Sequence, residues 1–378
     1  MSTPAMTDAP IPPVDLAAER AELGSALDEA VLRTLHSGQY VLGPEVAAFE
    51  KDFAAMHRAP HGVGVGSGTD ALILALKALG VQSGDRVVTS PFTFFASAGA
   101  IAWIGATPAL ADIDPATGLL DVDAARAATD AKTTCIMPVH IYGQLVDLKA
   151  FRALADEKGI PLLEDAAQAH AAERDGLRAG EVGDAAAFSF YPTKNLGTAG
   201  EGGAILCKSD ATLTALHRLR DHGSSAKYQH ASIGTNSRLQ AIHAAILNVK
   251  LGHLEGWNAR RRNHAARYTE LFASSAVVLP LTIAPGSTHA FHQYGVRIKG
   301  DGARDRVLAG LQEQKIFAAI HYPKPVHVQE AAASWGYGPG DFPHAEALAD
   351  EILCLPIHPF LTPEQVERVA ARVLELAG

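Results

Sequence analysis

Ala185-Ala186-Ala187-Phe188-Ser189-Phe190-Tyr191-Pro192-Thr193-Lys194-Asn195-Leu196-Gly197 places one lysine just after an apolar run and just before the glycine-rich turn Gly197-Thr198-Ala199-Gly200-Glu201-Gly202-Gly203. The run Ala185–Phe188 reads as a buried strand, since a short unbroken apolar stretch bounded by turn residues suits a strand covered on both faces. An amine held against buried apolar surface loses hydration, so its pKa falls and it can form a Schiff base at neutral pH. Most lysines are solvated loop residues instead. Four other segments bear on the role of Lys194.

Outward from that strand, strand-like and helical runs alternate: Val63–Val65, a helix to Leu79, Val87–Thr89, a helix around Ala96–Trp103, Pro108–Ala111, Ala124–Ala128, Thr133–Val139, Leu148–Lys158 and Pro161–Leu163. This alternation calls for an α/β fold with a mostly parallel sheet and helices on both faces. Long helices from Arg238 to about Ala273 lead away from it. Tyr294–Ile298, Ala303–Gln314 and Pro363–Leu376 suit a smaller C-terminal α/β domain. The expected division is 1–255 and 256–378, with residues 1–12, rich in proline, flexible.

Gly66-Ser67-Gly68-Thr69-Asp70 ends a strand and starts a helix, and a helix N-terminus of this kind offers backbone N–H groups to a phosphate. Glu164 and Asp165 close a parallel strand on the side where open α/β sheets bind ligands. A carboxylate there can keep a pyridine nitrogen protonated, so that the ring accepts the charge left when a substrate carbon loses a proton. Either acid can equally cap the next helix. Of the aromatics in Ser90-Pro91-Phe92-Thr93-Phe94-Phe95-Ala96-Ser97, one reads as core and one as a platform for a flat ring. Asn236 stands where a helix N-cap would stand, while Arg238, a cation in a first turn, opposes the helix dipole and fits an anionic ligand nearby.

Taken in order, these segments resemble the DegT/DnrJ/StrS family of pyridoxal-phosphate-dependent sugar aminotransferases. The resemblance also draws on Gly38–Pro44, Phe49-Glu50, Pro138–Gly143, Glu164-Asp165-Ala166-Ala167-Gln168 and His321-Tyr322-Pro323 with Pro325 and His327. It implies the fold-type I aminotransferase architecture and pyridoxal 5'-phosphate (PLP, alternating with pyridoxamine phosphate, PMP) as cofactor. Lys194 would carry the cofactor and shuttle the proton, Asp165 would pair with the ring nitrogen, and Gln168 would face the ring hydroxyl. Phe94 would stack on the ring, Gly68, Thr69 and Ser189 would cradle the phosphate, and Asn236 would reach the phosphate in the neighbouring subunit. The implied unit is a homodimer with shared sites, taking an amino-acid donor, L-glutamate, and a nucleotide-linked keto-sugar. Two positions depart from the family's frequent pattern, His243 where Gln is common and Glu201 where Asp is common.

Arg238, His321, Tyr322 and His327 are candidate substrate contacts. The form His321-Tyr322-Pro323-Lys324-Pro325-Val326-His327-Val328-Gln329 resembles that of the family's 3-aminating members more than that of its 4-aminating ones, which implies a 3-keto over a 4-keto sugar; two prolines would fix the loop that presents the ring donors. A segment that only packs the C-terminal domain would read the same way. The rival readings are an aminotransferase for a non-nucleotide ketone such as a keto-cyclitol, and a catalytically silent PLP-binding regulatory protein. A sugar dehydratase of the same family would carry histidine at the position of Lys194.

Bulk properties agree with a cytoplasmic enzyme. At 378 residues, 48% hydrophobic and 19% charged, the chain is a well-packed globule of two domains. A formal net charge of −9 speaks against nucleic acid. It also asks for local cations where an anionic sugar nucleotide enters, and Arg220, Lys227 and Arg238 are the candidates. Cys135, Cys207 and Cys354 read as buried free thiols in a reducing compartment. The 17 histidines have no metal-binding spacing, and neither a transmembrane segment nor a secretory signal is visible.

Overall fold

The computed structural model describes residues 9–378. Seven strands form the main sheet: β1 (His61–Val65), β2 (Arg86–Thr89), β3 (Thr107–Leu110), β4 (Thr133–Ile136), β5 (Leu163–Asp165), β6 (Ala185–Ser189) and β7 (Gly203–Cys207). Ladders order them β1-β7-β6-β5 and β3-β2-β4, and the parallel bridges Ile136 to Leu162 and Val139 to Asp165 lay β4 beside β5. Only β7 runs against the rest, pairing antiparallel with both β1 and β6.

Both faces of this sheet are covered, which is why its strands read as unbroken apolar runs. Alternation along β6 sends Ala186 and Phe188 into one core, with Phe53, Phe151 and Leu206, and Ala185 and Ala187 into the other, with Leu72, Ile101 and Ile205. Because the parallel strands share a direction, the residues that follow β1, β2, β4, β5 and β6 emerge along one edge. That edge collects Gly66–Asp70, the aromatic segment after Thr89, Pro138–Gly143, Asp165–Gln168 and the lysine segment.

A second sheet, antiparallel, is built from β8 (Val278–Pro280), β9 (Tyr294–Ile298) and β10 (Ile352–Leu355) in that order. Tyr268, Phe272, Val296, Val307 and Val369 form its core. The helix Pro363–Ala377 opens with a capping box, the Thr362 hydroxyl on the Gln365 amide and the Gln365 side chain on the Thr362 amide.

An expected division at 255/256 meets the helix Leu254–Phe272, which is continuous across it. The larger core also takes in Ala290, Val326, Phe342 and Leu348, so chain beyond 256 returns to the first sheet. Residues 1–8 of the expected flexible start lie outside the described residues. Ile11 is fully buried and exchanges hydrogen bonds with Lys315 and Phe317 (2.8 and 3.0 Å), so the chain is anchored before residue 12. The helix expected from Arg238 begins only at Ala241 and breaks at Gly252-His253.

Candidate active site

Ser67 caps the helix Gly68–Ala78, its hydroxyl accepting from the Asp70 amide at 3.0 Å. The Gly68 and Thr69 amides, first in that helix, have no intrahelical acceptor. Gly68 admits no side chain, since a Cβ there would stand 2.6 Å from Ser189 Cβ. The helix start and the end of β6 thus meet in a close backbone cradle. Ser189 is nearly buried, and its hydroxyl accepts weakly from the Tyr191 amide at 3.4 Å.

Asp165 and Glu164 are neighbours on one strand and therefore face opposite ways. Glu164 is fully buried and accepts from His140 Nε2 (2.9 Å) and from the amides of Gly180, Val182 and Gly183 (2.8, 3.3 and 2.6 Å). Burial pushes its pKa up, but His140 and those N–H groups outweigh it and hold the carboxyl low. Glu164 is thus a structural anchor. Asp165, also buried, takes the Ser97 hydroxyl on Oδ2 at 2.7 Å and the Ala167 amide on Oδ1 at 3.2 Å. Desolvation raises its pKa, against the pull of Ser97, Ala167 and Lys194.

Lys194 is partly exposed, and its ammonium is pushed down to about 8 by desolvation, against the opposing attraction of Asp165. Its neighbours hold the loop rigid. Asn195 Nδ2 donates to Asn258 Oδ1 and Ala290 O, both at 2.8 Å, and its Oδ1 lies 3.3 Å from His292 Nδ1. Lys250, buried, donates to Gly197 O at 2.7 Å and pairs with Glu19 at 2.5 Å. Sequence reasoning missed Ser97, Asn195 and Lys250. Ser97 and Asn195 stand inside the motifs quoted above, but Lys250 carries no local signal.

In the aromatic segment Phe92 is 1% exposed in the core, whereas Phe94 is 57% exposed at the sheet edge, its ring 5.8 Å from that of Tyr322. Gln168 accepts the Tyr142 amide on Oε1 at 2.6 Å and donates from Nε2 to the Tyr322 hydroxyl at 3.1 Å. Buried surroundings lower the His321 pKa, with the Lys194 charge adding to the effect. Lys194, Asp165, Gln168, Phe94, Ser189, Gly68, Thr69, His321 and Tyr322 thus gather at one edge.

Four expected residues stand elsewhere. Asn236 caps no helix: it is exposed, in a bridge with Asp221, while the next helix starts after Gln240 without a side-chain cap. Arg238 Nη1 is held by Asp221 Oδ1 at 2.9 Å, which supplies the anion its position asked for. Arg220 is 8% exposed, pairs with Glu50 at 2.5 Å and donates to Gly64 O, so it is no cation at a site mouth. His327 is 2% exposed, with Nε2 on Glu346 at 3.0 Å and its ring edge-on to Phe342, a packing role in place of a substrate contact. Lys227 alone of the entry cations is exposed and without a carboxylate partner among the described residues. No cluster of metal-ligating side chains occurs among the described residues.

Residues 22–374 match the model of the DegT/DnrJ/EryC1/StrS aminotransferase family. The chain is 44% identical to the "pleiotropic regulatory protein" of Geobacillus stearothermophilus over 97% of this chain and 98% of that one. It is 42% identical to the dTDP-3-amino-3,4,6-trideoxy-alpha-D-glucose transaminase of Streptomyces venezuelae, over 97% and 96%. The crystal structure of S. venezuelae DesV in complex with a ketimine intermediate superposes with a TM-score of 0.94 at 41% identity, covering 97% of this chain and 98% of that one. Related structures have been solved in PLP and PMP forms. With a family model matched from residue 22 to 374 and the fold shared from end to end, the chain belongs to the DegT/DnrJ/EryC1/StrS family of PLP-dependent sugar aminotransferases.

Proposed function

We propose that the protein moves an amino group from an amino acid, L-glutamate, to the keto carbon of a nucleotide-linked hexose, with C3 favoured over C4. The observation that carries this reading is the pairing of Lys194, with its pKa near 8, and buried Asp165 beside the Gly68–Ser189 cradle. The nucleotide and the C3 preference draw support from the dTDP-3-amino sugar named for the Streptomyces relative.

The residues fit PLP. A side-chain-free approach at Gly68 and the free first amides of its helix suit a phosphate, and a buried carboxylate raised in pKa gains a partner when a cationic ring nitrogen arrives. When bound, PLP supplies a carbonyl that takes up the amino group and a ring that spreads the charge of the deprotonated carbon. Asp165 would pair with the ring nitrogen, Gln168 Nε2 would serve the ring hydroxyl, and Phe94 would stack on the ring. Lys194 Nζ moves the proton to and from the substrate carbon, for which a pKa near the working pH is suited. His321 and Tyr322 face the sugar, and Lys227 is the cation left to meet its phosphates. A silent regulatory role has the names of two relatives behind it, a pleiotropic regulatory protein and a sensory transduction protein; the complete lysine, aspartate and cradle set weighs against it. The free thiols Cys135, Cys207 and Cys354 agree with a cytoplasmic setting.

The PMP-loaded protein, offered matched 3-keto and 4-keto dTDP- and UDP-hexoses, is expected to regain its PLP absorbance with a 3-keto sugar. NMR then locates the new amine. Amination at C4 alone refutes the regiochemistry, and response only to a keto-cyclitol refutes the nucleotide.

Site sharing across a homodimer is part of the same reading. Asn236 is exposed next to a protruding segment in which Tyr228 and Ile233 are 87% and 91% exposed, apolar surface of the kind a second copy covers. Mixed dimers of Lys194→Ala with a damaged Asn236→Ala chain should regain activity, because one site of each hybrid has every native group. Hybrids present without regained activity would place Asn236 outside the partner's site.

A further inference from the structure

Tyr142 is buried at 2% exposure in the turn Ile141–Gly143, with φ 59° and ψ 1°, a left-handed conformation rare for a bulky residue. Such a conformation persists where the surroundings over-determine it. Here three separate stretches of chain do so. The Tyr142 amide donates to Gln168 Oε1 at 2.6 Å, and its carbonyl accepts from the amides of His292 and Gln293 at 2.8 and 3.3 Å. Its hydroxyl donates to the carbonyl of His321.

The first of these bonds fixes a chemical identity. A backbone N–H can only donate, so the end of Gln168 that faces Tyr142 must be its carbonyl oxygen, and the amide nitrogen is turned the other way. That nitrogen reaches the Tyr322 hydroxyl at 3.1 Å and keeps a second hydrogen for the site. The last bond restrains the residue before Tyr322. Tyr142 therefore touches, through its backbone, the group that orients Gln168, and, through its side chain, the segment that carries Tyr322.

We propose that Tyr142 is a positioning residue that couples the cofactor-facing amide of Gln168 to the substrate-facing segment His321-Tyr322, so that filling the cofactor site orders the substrate wall. The assignment rests on the reading that Gln168 and Tyr322 line the site. Its test uses PLP alone, so it stands or falls separately from the identity of the sugar.

Hydrogen exchange of the wild-type protein is compared without and with saturating PLP. Peptides covering 140–144 and 317–322 are expected to slow together on loading. In Tyr142→Phe, which keeps the ring and the backbone amide, 140–144 and 165–170 should still slow on loading. The 317–322 peptide should exchange about 5–10-fold faster than in loaded wild type, the effect of one lost hydrogen bond on a local opening. Slowing of 317–322 in the variant equal to wild type would overturn the coupling. So would faster exchange throughout the variant, the mark of a merely structural role. If the variant does not fold, the wild-type pair decides: protection of 317–322 without 140–144, or the reverse, overturns the proposal.

Discussion

Lys194→Ala abolishes transamination, with a loss of about 10⁴-fold or more, because it removes both the covalent anchor and the proton carrier that general acid–base catalysis of this kind requires. The fold survives. The Lys194 side chain carries a charge that burial penalises, so its removal relieves the apoprotein. The pH dependence follows from the shift. Below about 8 both folded and unfolded chains hold the proton, and the full penalty is present; between about 8 and 10.5 only the unfolded chain holds it, so wild-type stability rises with pH. The stability difference between Lys194→Ala and wild-type apoproteins should therefore shrink across that window, as read by denaturant unfolding. A difference that grows with pH, or a variant that keeps turnover, contradicts the assignment. The variant still binds PLP through the Gly68–Ser189 cradle, now without a covalent bond.

Asp165→Asn lowers turnover by at least ~100-fold, since a charged partner for the ring acts most strongly when charge develops on it. Folding stability changes far less. Asparagine keeps the volume: its Oδ1 can accept the Ala167 amide while its Nδ2 donates to Ser97 Oγ, which then turns its proton toward Thr93, so exchanging charged for neutral hydrogen bonds costs about 1–2 kcal/mol. Steady-state kinetics beside thermal unfolding separate the two effects. Activity near wild type would leave Asp165 as an acceptor for Ser97 and Ala167 and nothing more.

Much of this architecture was legible in the sequence, for a physical reason. Strands buried on both faces must be apolar throughout, and parallel strands need helical crossovers, so β1 to β6 and their helices stand out as alternating runs. The lysine segment and Glu164-Asp165 stood out because a cation beside a buried strand and acids at a strand's end are hard to place without a ligand. The reversed direction of β7 did not show, since Gly203–Cys207 is buried on both faces in either direction. The start of the helix at Ala241 was hidden too. Residues 235 and 237 donate to the carbonyls of Leu219 and Arg220 at 2.8 and 3.0 Å, which holds extended a stretch whose turn residues mimic a cap.

The substrate-facing residues were the least legible. Whether an arginine or histidine is free depends on partners distant in sequence: Arg220 finds Glu50, 170 positions away, and His327 finds Glu346, which also accepts the Gly340 amide. Local pattern carries no trace of such pairs. His321 and Tyr322 kept their place at the site edge because the Tyr142 hydroxyl and the Gln168 amide hold them there.

The central claim is that one lysine among many holds the cofactor. The most direct measurement is borohydride reduction of the PLP-loaded protein, followed by digestion and mass mapping of the peptides. The account predicts a single pyridoxyl adduct, on the peptide carrying Lys194. An adduct on another lysine, with the Lys194 peptide unmodified, would contradict it.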